Sequence, residues 1–305
     1  MTKSERPILG FDPAPNTSTG LAIDPRLEAE YALRRRHPER TAVYEAFAQR
    51  SADWRAQWPG FFSHRYLDDD PVAGSATAID FFPATTTGPA PLLIFIHGGY
   101  WRALDRSIFS FLAKPWVARG VHVALPGYQL APQRNVAQIV QQVRCACACI
   151  RRHASDWQID RTRILVSGHS AGAQLGALCL DPPLAGSALG SSALGFIGIS
   201  GVYDLLPLLR TSINEDIRLD EPQARAMSPA FHPPPRFDHV LCVAGGAETQ
   251  GFKGQSQDQA RRWRQQGLQA DYHEATGRTH FDILDDLADE HAELFKRAWR
   301  FLESS

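Results

Sequence analysis

Ser170 is the residue of this chain best placed for covalent chemistry. It sits at the centre of Gly168-His169-Ser170-Ala171-Gly172, a Gly-x-Ser-x-Gly pentapeptide. The apolar run at 163–167 before it reads as a buried strand, and 171–178 after it is compatible with a helix. A sharp strand-to-helix turn crowds the backbone on both sides of the serine. Small residues must therefore flank it, and the hydroxyl is left above the sheet. With glycine at ~7% of residues, roughly 0.1 such matches arise by chance in a chain this long. The flanking strand and helix set this match apart.

A serine hydroxyl is a weak nucleophile near neutral pH. It needs a base within hydrogen-bond reach and an acid to orient that base. On this architecture the chain order is serine, then Asp or Glu, then histidine. Of the 11 histidines, His280 fits the base, since it follows the final predicted strand across the turn at 275–279. His37, His64, His153, His232 and His291 lie in polar or helical settings, and His273 sits inside a strand. Glu248 fits the acid, because it ends a strand that runs into Gly245-Gly246. Such a position aims a carboxylate at the C-terminal edge of the sheet, where ligands bind. Asp204 and Asp282 compete for that role, with a turn or helix cap as the plainer reading of each.

His97-Gly98-Gly99-Tyr100-Trp101 leaves another apolar strand, where an oxyanion loop is expected. Gly98 and Gly99 would let backbone N–H groups face the developing charge, and the N–H of Ala171 would be a further donor. Preorganised donors of this kind each contribute about 3 kcal/mol to transition-state stabilisation. His97 itself reads as a residue that holds the loop. Tyr100, Trp101, Tyr203 and Phe281, with Phe231, could crowd a pocket that binds substrate; core packing is the competing reading.

These residues need a framework, and the rest of the chain supplies one. Strands are expected at 76–82, 92–97, 121–125, 164–167, 194–199, 239–244 and 269–274. Helices are expected at 107–119, 135–153, 171–180, 252–266 and 290–301. Short apolar strands alternating with helices indicate an α/β domain with a mostly parallel sheet covered on both faces. Residues 61–305 then form one catalytic domain. Residues 1–60 form an irregular arm, at 10–20, and helices that pack as a lid. Arg34-Arg35-Arg36 reads as a solvated face of that segment, with a substrate-anion site as the alternative.

Composition is ordinary for a soluble enzyme: 305 residues, 44% hydrophobic, 21% charged, net charge −1. That charge gives no reason to expect nucleic acid or an anionic membrane as partner. A small-molecule substrate is the expected partner, and a homodimer is compatible with the sequence. Cys145, Cys147 and Cys149 alternate in a predicted helix and read as buried small hydrophobes, not metal ligands. The N-terminus shows no signal-peptide core, and no apolar run reaches the ~18 residues of a membrane span. The cytoplasm is the expected location, and neither a metal nor an organic cofactor is needed.

Assembled, the chain resembles an α/β-hydrolase of the kynurenine formamidase (arylformamidase) family. The resemblance rests on 97–101, on Gly-His-Ser-Ala-Gly-Ala at 168–173 and on Ile-Ser-Gly-Val-Tyr-Asp-Leu at 199–205. Glu248 followed by Phe252 and Gln255-Ser256, and the pair His280-Phe281, extend it. It implies a triad of Ser170, Glu248 and His280 with an oxyanion hole at Gly98, Gly99 and Ala171. One departure is Gln174, where such relatives often carry histidine. The implied activity is release of a small acyl group from an aryl amide or ester. A short-chain carboxylesterase is the alternative, and a non-catalytic binding protein on the same fold is a more distant one.

Overall fold

The computed structural model describes residues 21–34, 36–67, 74–179 and 193–303. The arm at 10–20 and Arg35 lie outside them. All seven expected strands are present, joined by an eighth, in one sheet. They are β1 (Phe62–Arg65), β2 (Ala78–Phe82), β3 (Ala90–Ile96), β4 (His122–Pro126), β5 (Ile159–His169), β6 (Ala193–Ile199), β7 (His239–Gly245) and β8 (Gln269–Ala275). The order across the sheet is β1-β2-β4-β3-β5-β6-β7-β8. β1 and β2 pair antiparallel, β2 runs antiparallel to β4, and the other pairs are parallel. This is the sheet of an α/β-hydrolase, as the sequence pattern led us to expect.

The sheet is apolar on both faces because helices cover both. Leu92, Ile94 and Ile96 of β3 enter one core cluster, while Leu93 and Phe95 enter the other. That is the period of two that a doubly covered strand imposes. β1 escaped sequence reading because it is a short, mostly exposed edge strand without an apolar run. Of Phe62, Ser63, His64 and Arg65, only His64 is partly buried.

Nine α-helices occur among the described residues: α1 (Pro25–Tyr31), α2 (Arg40–Gln57), α3 (Ala113–Val117), α4 (Val136–Arg152), α5 (Ala171–Leu178), α6 (Asn214–Ile217), α7 (Glu221–Ala226), α8 (Gln250–Gln265) and α9 (Glu293–Glu303). The expected helix at 107–119 divides into a 3₁₀ segment, Arg106–Leu112, and α3. Pro115 lies in the first turn of α3, where its missing N–H costs nothing; in one helix over 107–119 it would lack the bond to the carbonyl of Phe111. The N-terminal helical stretch breaks similarly at 32–39. Pro38 disfavours a helical conformation at His37 and so separates α1 from α2. α4 starts on a reciprocal cap: Asn135 accepts from the Gln138 N–H at 2.9 Å, and Gln138 Oε1 accepts from the Asn135 N–H at 3.0 Å. Both Cys147 and Cys149 of α4 are buried, while Cys145 is half-buried.

α2 packs on the 106–112 segment through Phe47, whose ring lies 4.5 Å from Phe111 and 6.5 Å from Phe109. α1 is tied to the start of α8. The Glu30 carboxylate accepts from the Gly251 N–H at 2.5 Å, and Thr249 donates to the Glu30 carbonyl at 2.9 Å. Among the described residues, no helix is long and apolar enough to cross a membrane.

Candidate active site

The turn between β5 and α5 holds Ser170 at φ 55°, ψ −120°. L-residues rarely adopt that region, and the contacts around the turn enforce it. The Ser170 N–H donates to the Ile199 carbonyl of β6 at 2.8 Å, and the Ala173 N–H returns to the Ser170 carbonyl at 3.0 Å. A Cβ at Gly168 would collide with the Gly172 carbonyl, and one at Gly172 with the Ile96 carbonyl. Both glycines of the pentapeptide are therefore required by close backbone approach.

Glu248 and His280 meet. His280 Nδ1 lies 2.8 Å from Glu248 Oε2, and both side chains are buried. The other carboxylate oxygen, Oε1, accepts from Ser200 Oγ at 2.5 Å and from the Gly245 N–H at 2.6 Å. The turn after β7 is also zipped to the loop carrying His280. The Gly246 N–H donates to the Ala275 carbonyl at 2.7 Å, and the Ala247 N–H to the Arg278 carbonyl at 3.0 Å. Asp204 and Asp282 serve turns instead. Asp204 accepts from the Leu206 N–H at 2.9 Å, and Asp282 accepts from the N–H and hydroxyl of Thr279 at 2.7 and 2.9 Å. His273 lies within β8, paired in register with Val243.

The base loop is anchored beside the elbow by His169. Its Nε2 is 2.8 Å from the His280 carbonyl, and the two imidazoles are 4.7 Å apart. Burial, reinforced by the neighbouring His280, drives the His169 pKa well below the usual histidine value. His169 is thus neutral, and because a carbonyl only accepts, Nε2 carries its proton. Phe252 of α8 closes the other side of His280, with ring centroids 4.4 Å apart.

The loop after β3 lies against the elbow. A Cβ on Gly98 would stand 2.7 Å from the His169 carbonyl and 3.0 Å from Ser170 Cβ. Gly99 has φ +115°, and a Cβ there would collide with the Ala103 carbonyl. Tyr100, Trp101 and Leu104 also have positive φ, at 50°, 57° and 74°. A run of such residues persists only when its surroundings hold it. The Trp101 carbonyl accepts from the Ala131 N–H at 2.7 Å, and Trp101 Nε1 donates to Gln174 Oε1 at 3.0 Å. Gln174 also donates to the Met227 carbonyl at 2.8 Å. Its amide therefore bridges the loop to the C-terminal cap of α7, a task its place in the sequence did not reveal. His97 is a loop-holder, as expected. Its ring stacks on Tyr128 at 4.3 Å, and the Tyr128 hydroxyl donates to the His97 carbonyl at 2.8 Å. Burial pulls the His97 pKa down to about 4.

The aromatic residues divide. Phe281 is buried beside the base, 5.4 Å from His280, and it meets Tyr44 of α2 at 5.8 Å and His37 at 5.3 Å. Tyr100 is half-buried, and its hydroxyl donates to the Tyr31 carbonyl at the end of α1 at 2.7 Å. Trp101 is wholly buried, wedged against α5. Tyr203 corrects the pocket reading: its ring packs 5.6 Å from Trp263 of α8 in the core, and its hydroxyl occupies the space a Cβ on Gly198 would need. Phe231 lies exposed beneath the Arg225 guanidinium. Arg34 is exposed, as a solvated face requires, though burial of part of its side chain and the nearby Arg102 and Arg40 lower its pKa.

Ser200 and Gln255 are site residues that sequence reasoning missed. Ser200 has φ 51° and spans from the β6 turn to Glu248. Gln255 Oε1 accepts from the N–H groups of Tyr203 and Asp204 at 3.0 and 2.8 Å, and its amide donates to the Asp204 carbonyl at 2.8 Å and the Tyr31 hydroxyl at 3.2 Å. The only signal for either was its place in motifs quoted for resemblance.

Comparison with known proteins agrees with this geometry. A kynurenine formamidase from Salmo salar is 32% identical over 224 residues, spanning 71% of this chain and 74% of its own. One from Danio rerio is 30% identical, spanning 74% and 77%. The chain belongs to the kynurenine formamidase family. A family model described as BD-FAE matches residues 80–180, which include the Gly98-Gly99 loop and the turn at Ser170. A crystal structure of a candidate thioesterase from Silicibacter sp. tm1040 superposes with a TM-score of 0.78 at 31% identity, covering 88% of this chain and 97% of that one. The protein is therefore a hydrolase of the esterase and formamidase group.

Proposed function

We propose that this hydrolase removes a small acyl group from an aryl amide or ester by a serine-based acyl transfer, with an aryl formamide such as N-formylkynurenine as its substrate. The pairing of His280 Nδ1 with Glu248 Oε2 at 2.8 Å, on a loop bonded to the residue before Ser170, carries this reading. Family membership supports the choice of acyl group.

In this mechanism Glu248 fixes the Nδ1–H tautomer, so that Nε2 of His280 has the lone pair that takes the Ser170 proton. The serine oxygen attacks the carbonyl carbon, and the carbonyl electron pair moves onto oxygen. Backbone N–H groups of the Gly98-Gly99 loop and of Ala171 stabilise that charge. The imidazolium then gives its proton to the departing arylamine or alcohol. Water, deprotonated by His280, repeats the sequence on the acyl-enzyme and releases formate or another small acid. A small acyl group suits a serine whose surroundings leave it only 2% exposed.

The test is a substrate panel with a labelling control. N-formylkynurenine should be turned over with a higher kcat/KM than p-nitrophenyl acetate or butyrate. Equal or better turnover of the simple esters would establish a carboxylesterase instead. A fluorophosphonate should label the wild type and leave Ser170→Ala unlabelled; an unlabelled wild type would indicate a binding protein.

A further inference from the structure

We propose that His64, Cys149 and His153 form a site for a zinc-type divalent cation, separate from the hydrolytic centre. A ring nitrogen of each histidine and the sulfur of Cys149 all lie within 4.8 Å of one another. The reading of Cys149 as a buried small hydrophobe missed this, because His64 is 85 residues away from it and on an edge strand without an apolar pattern.

The three side chains converge because two elements meet. His64 is the one partly buried residue of β1, while Cys149 and His153 are one turn apart at the end of α4. Cys149 Sγ stands 3.6 Å from His153 Nδ1, which also donates to the Cys149 carbonyl at 3.0 Å and must give up that proton to bind an ion. Two donors bound to one tetrahedral zinc, at about 2.0 and 2.3 Å from it, stand roughly 3.5 Å apart. That pair already has the spacing of a bound site. The His64 and His153 rings are 4.7 Å apart, and Trp157 packs against both, at 5.3 and 5.2 Å.

The donor chemistry selects the cation. Two neutral imidazoles and a thiolate suit a borderline-soft ion and not magnesium or calcium, which take oxygen ligands. The cluster sits at the C-terminal end of a 17-residue helix, where the peptide dipoles favour positive charge. Arg151 and Arg152 of that last turn are exposed. On binding, the thiol releases its proton to solvent, and a water completes the four-coordinate shell. The ion would then cross-link α4 to β1, whose single neighbour in the sheet is β2. This edge is the one opposite β8, so the site is remote from His280.

Cobalt(II) tests the proposal, since it reports thiolate ligation by colour. The full chain, reduced and freed of metal with a chelator, should bind one equivalent of Co²⁺ with a thiolate charge-transfer band, and Zn²⁺ should abolish that band. Cys149→Ser should lose the band altogether. His64→Ala, on a surface strand, should lose most of it while keeping wild-type turnover of p-nitrophenyl acetate. Absence of the band in the wild type, or its persistence in Cys149→Ser, overturns the proposal and leaves the cluster as aromatic packing around a buried thiol. A band unchanged in His64→Ala overturns it as well.

Discussion

Replacing Glu248 by glutamine should almost abolish turnover while leaving the fold intact, and the reason lies in which atoms can donate. Glu248 Oε1 accepts from the Gly245 N–H at 2.6 Å, a donor fixed in the backbone. In the variant, the amide oxygen must take that position, because an amide NH₂ there would face another N–H. The NH₂ then falls at the Oε2 position, 2.8 Å from His280 Nδ1. Nδ1 must become the acceptor, which places the imidazole proton on Nε2, the atom that should receive the serine proton. The base is thereby held in the wrong tautomer. In other serine hydrolases the equivalent change lowers kcat about 10⁴-fold, which is about 5 kcal/mol of transition-state stabilisation. The measurement is kcat for p-nitrophenyl acetate, with urea denaturation as the control for folding. Ser200 Oγ can rotate to suit either group, so stability should fall little. A folded Glu248→Gln enzyme that keeps more than about a tenth of its kcat refutes the assignment of Glu248.

Acid stability should reflect the buried histidines. His97 has its pKa lowered from 6.5 to about 4 by burial, so the unfolded chain takes up its proton first as pH falls. Stability is then whole above about pH 6.5 and is lost on the way down to about 4, by about 3 kcal/mol from His97 alone. His169 acts in the same direction. Urea midpoints should fall between pH 7 and 5, and His97→Gln should flatten that dependence; a midpoint independent of pH over this range would count against it. Tyr100→Phe removes the donor to the Tyr31 carbonyl and should cost about 1 kcal/mol. Faster proteolytic nicking between α1 and α2 should accompany it, and an unchanged nicking rate would show that the contact does not hold the helices down.

The parts of the site legible in sequence were those where backbone geometry restricts residue type. Ser170 was readable because its turn excludes side chains at Gly168 and Gly172. Glu248 and His280 were readable because they follow strands at the same edge of the sheet. Strand interiors were readable because two covered faces demand unbroken apolar runs. β1 was not, since an edge strand facing water carries no such pattern. Gln174, Ser200 and Gln255 were equally hidden. Each acts by bonding to backbone groups distant in sequence, and nothing in the local pattern of a polar residue tells which carbonyl or N–H it will meet. Tyr203 misled because a tyrosine just beyond a strand can point over the edge or under it. Gly198 and Gly201 leave room beneath, and the ring takes it.

In the proposed mechanism the N-terminal helices would bear on catalysis through the strained loop after β3. Tyr100 is held at φ 50° and bonded to the end of α1, while the next residue is pinned by Gln174 and Ala131. Positive φ at successive non-glycine residues costs about 1–3 kcal/mol each, so the loop keeps its shape only while those contacts last. Tyr44 of α2 meanwhile packs on Phe281, and Phe281 on His280. In the proposed mechanism, lifting both helices would therefore release the proposed oxyanion donors and unseat the proposed base together. Closure over a bound acyl group would restore both. We propose that α1 and α2 act as a lid: substrates too bulky to let α1 return to Tyr100 should bind yet react slowly, losing kcat more than KM. A panel of p-nitrophenyl esters of increasing acyl length tests this, and a rise in KM with constant kcat refutes it.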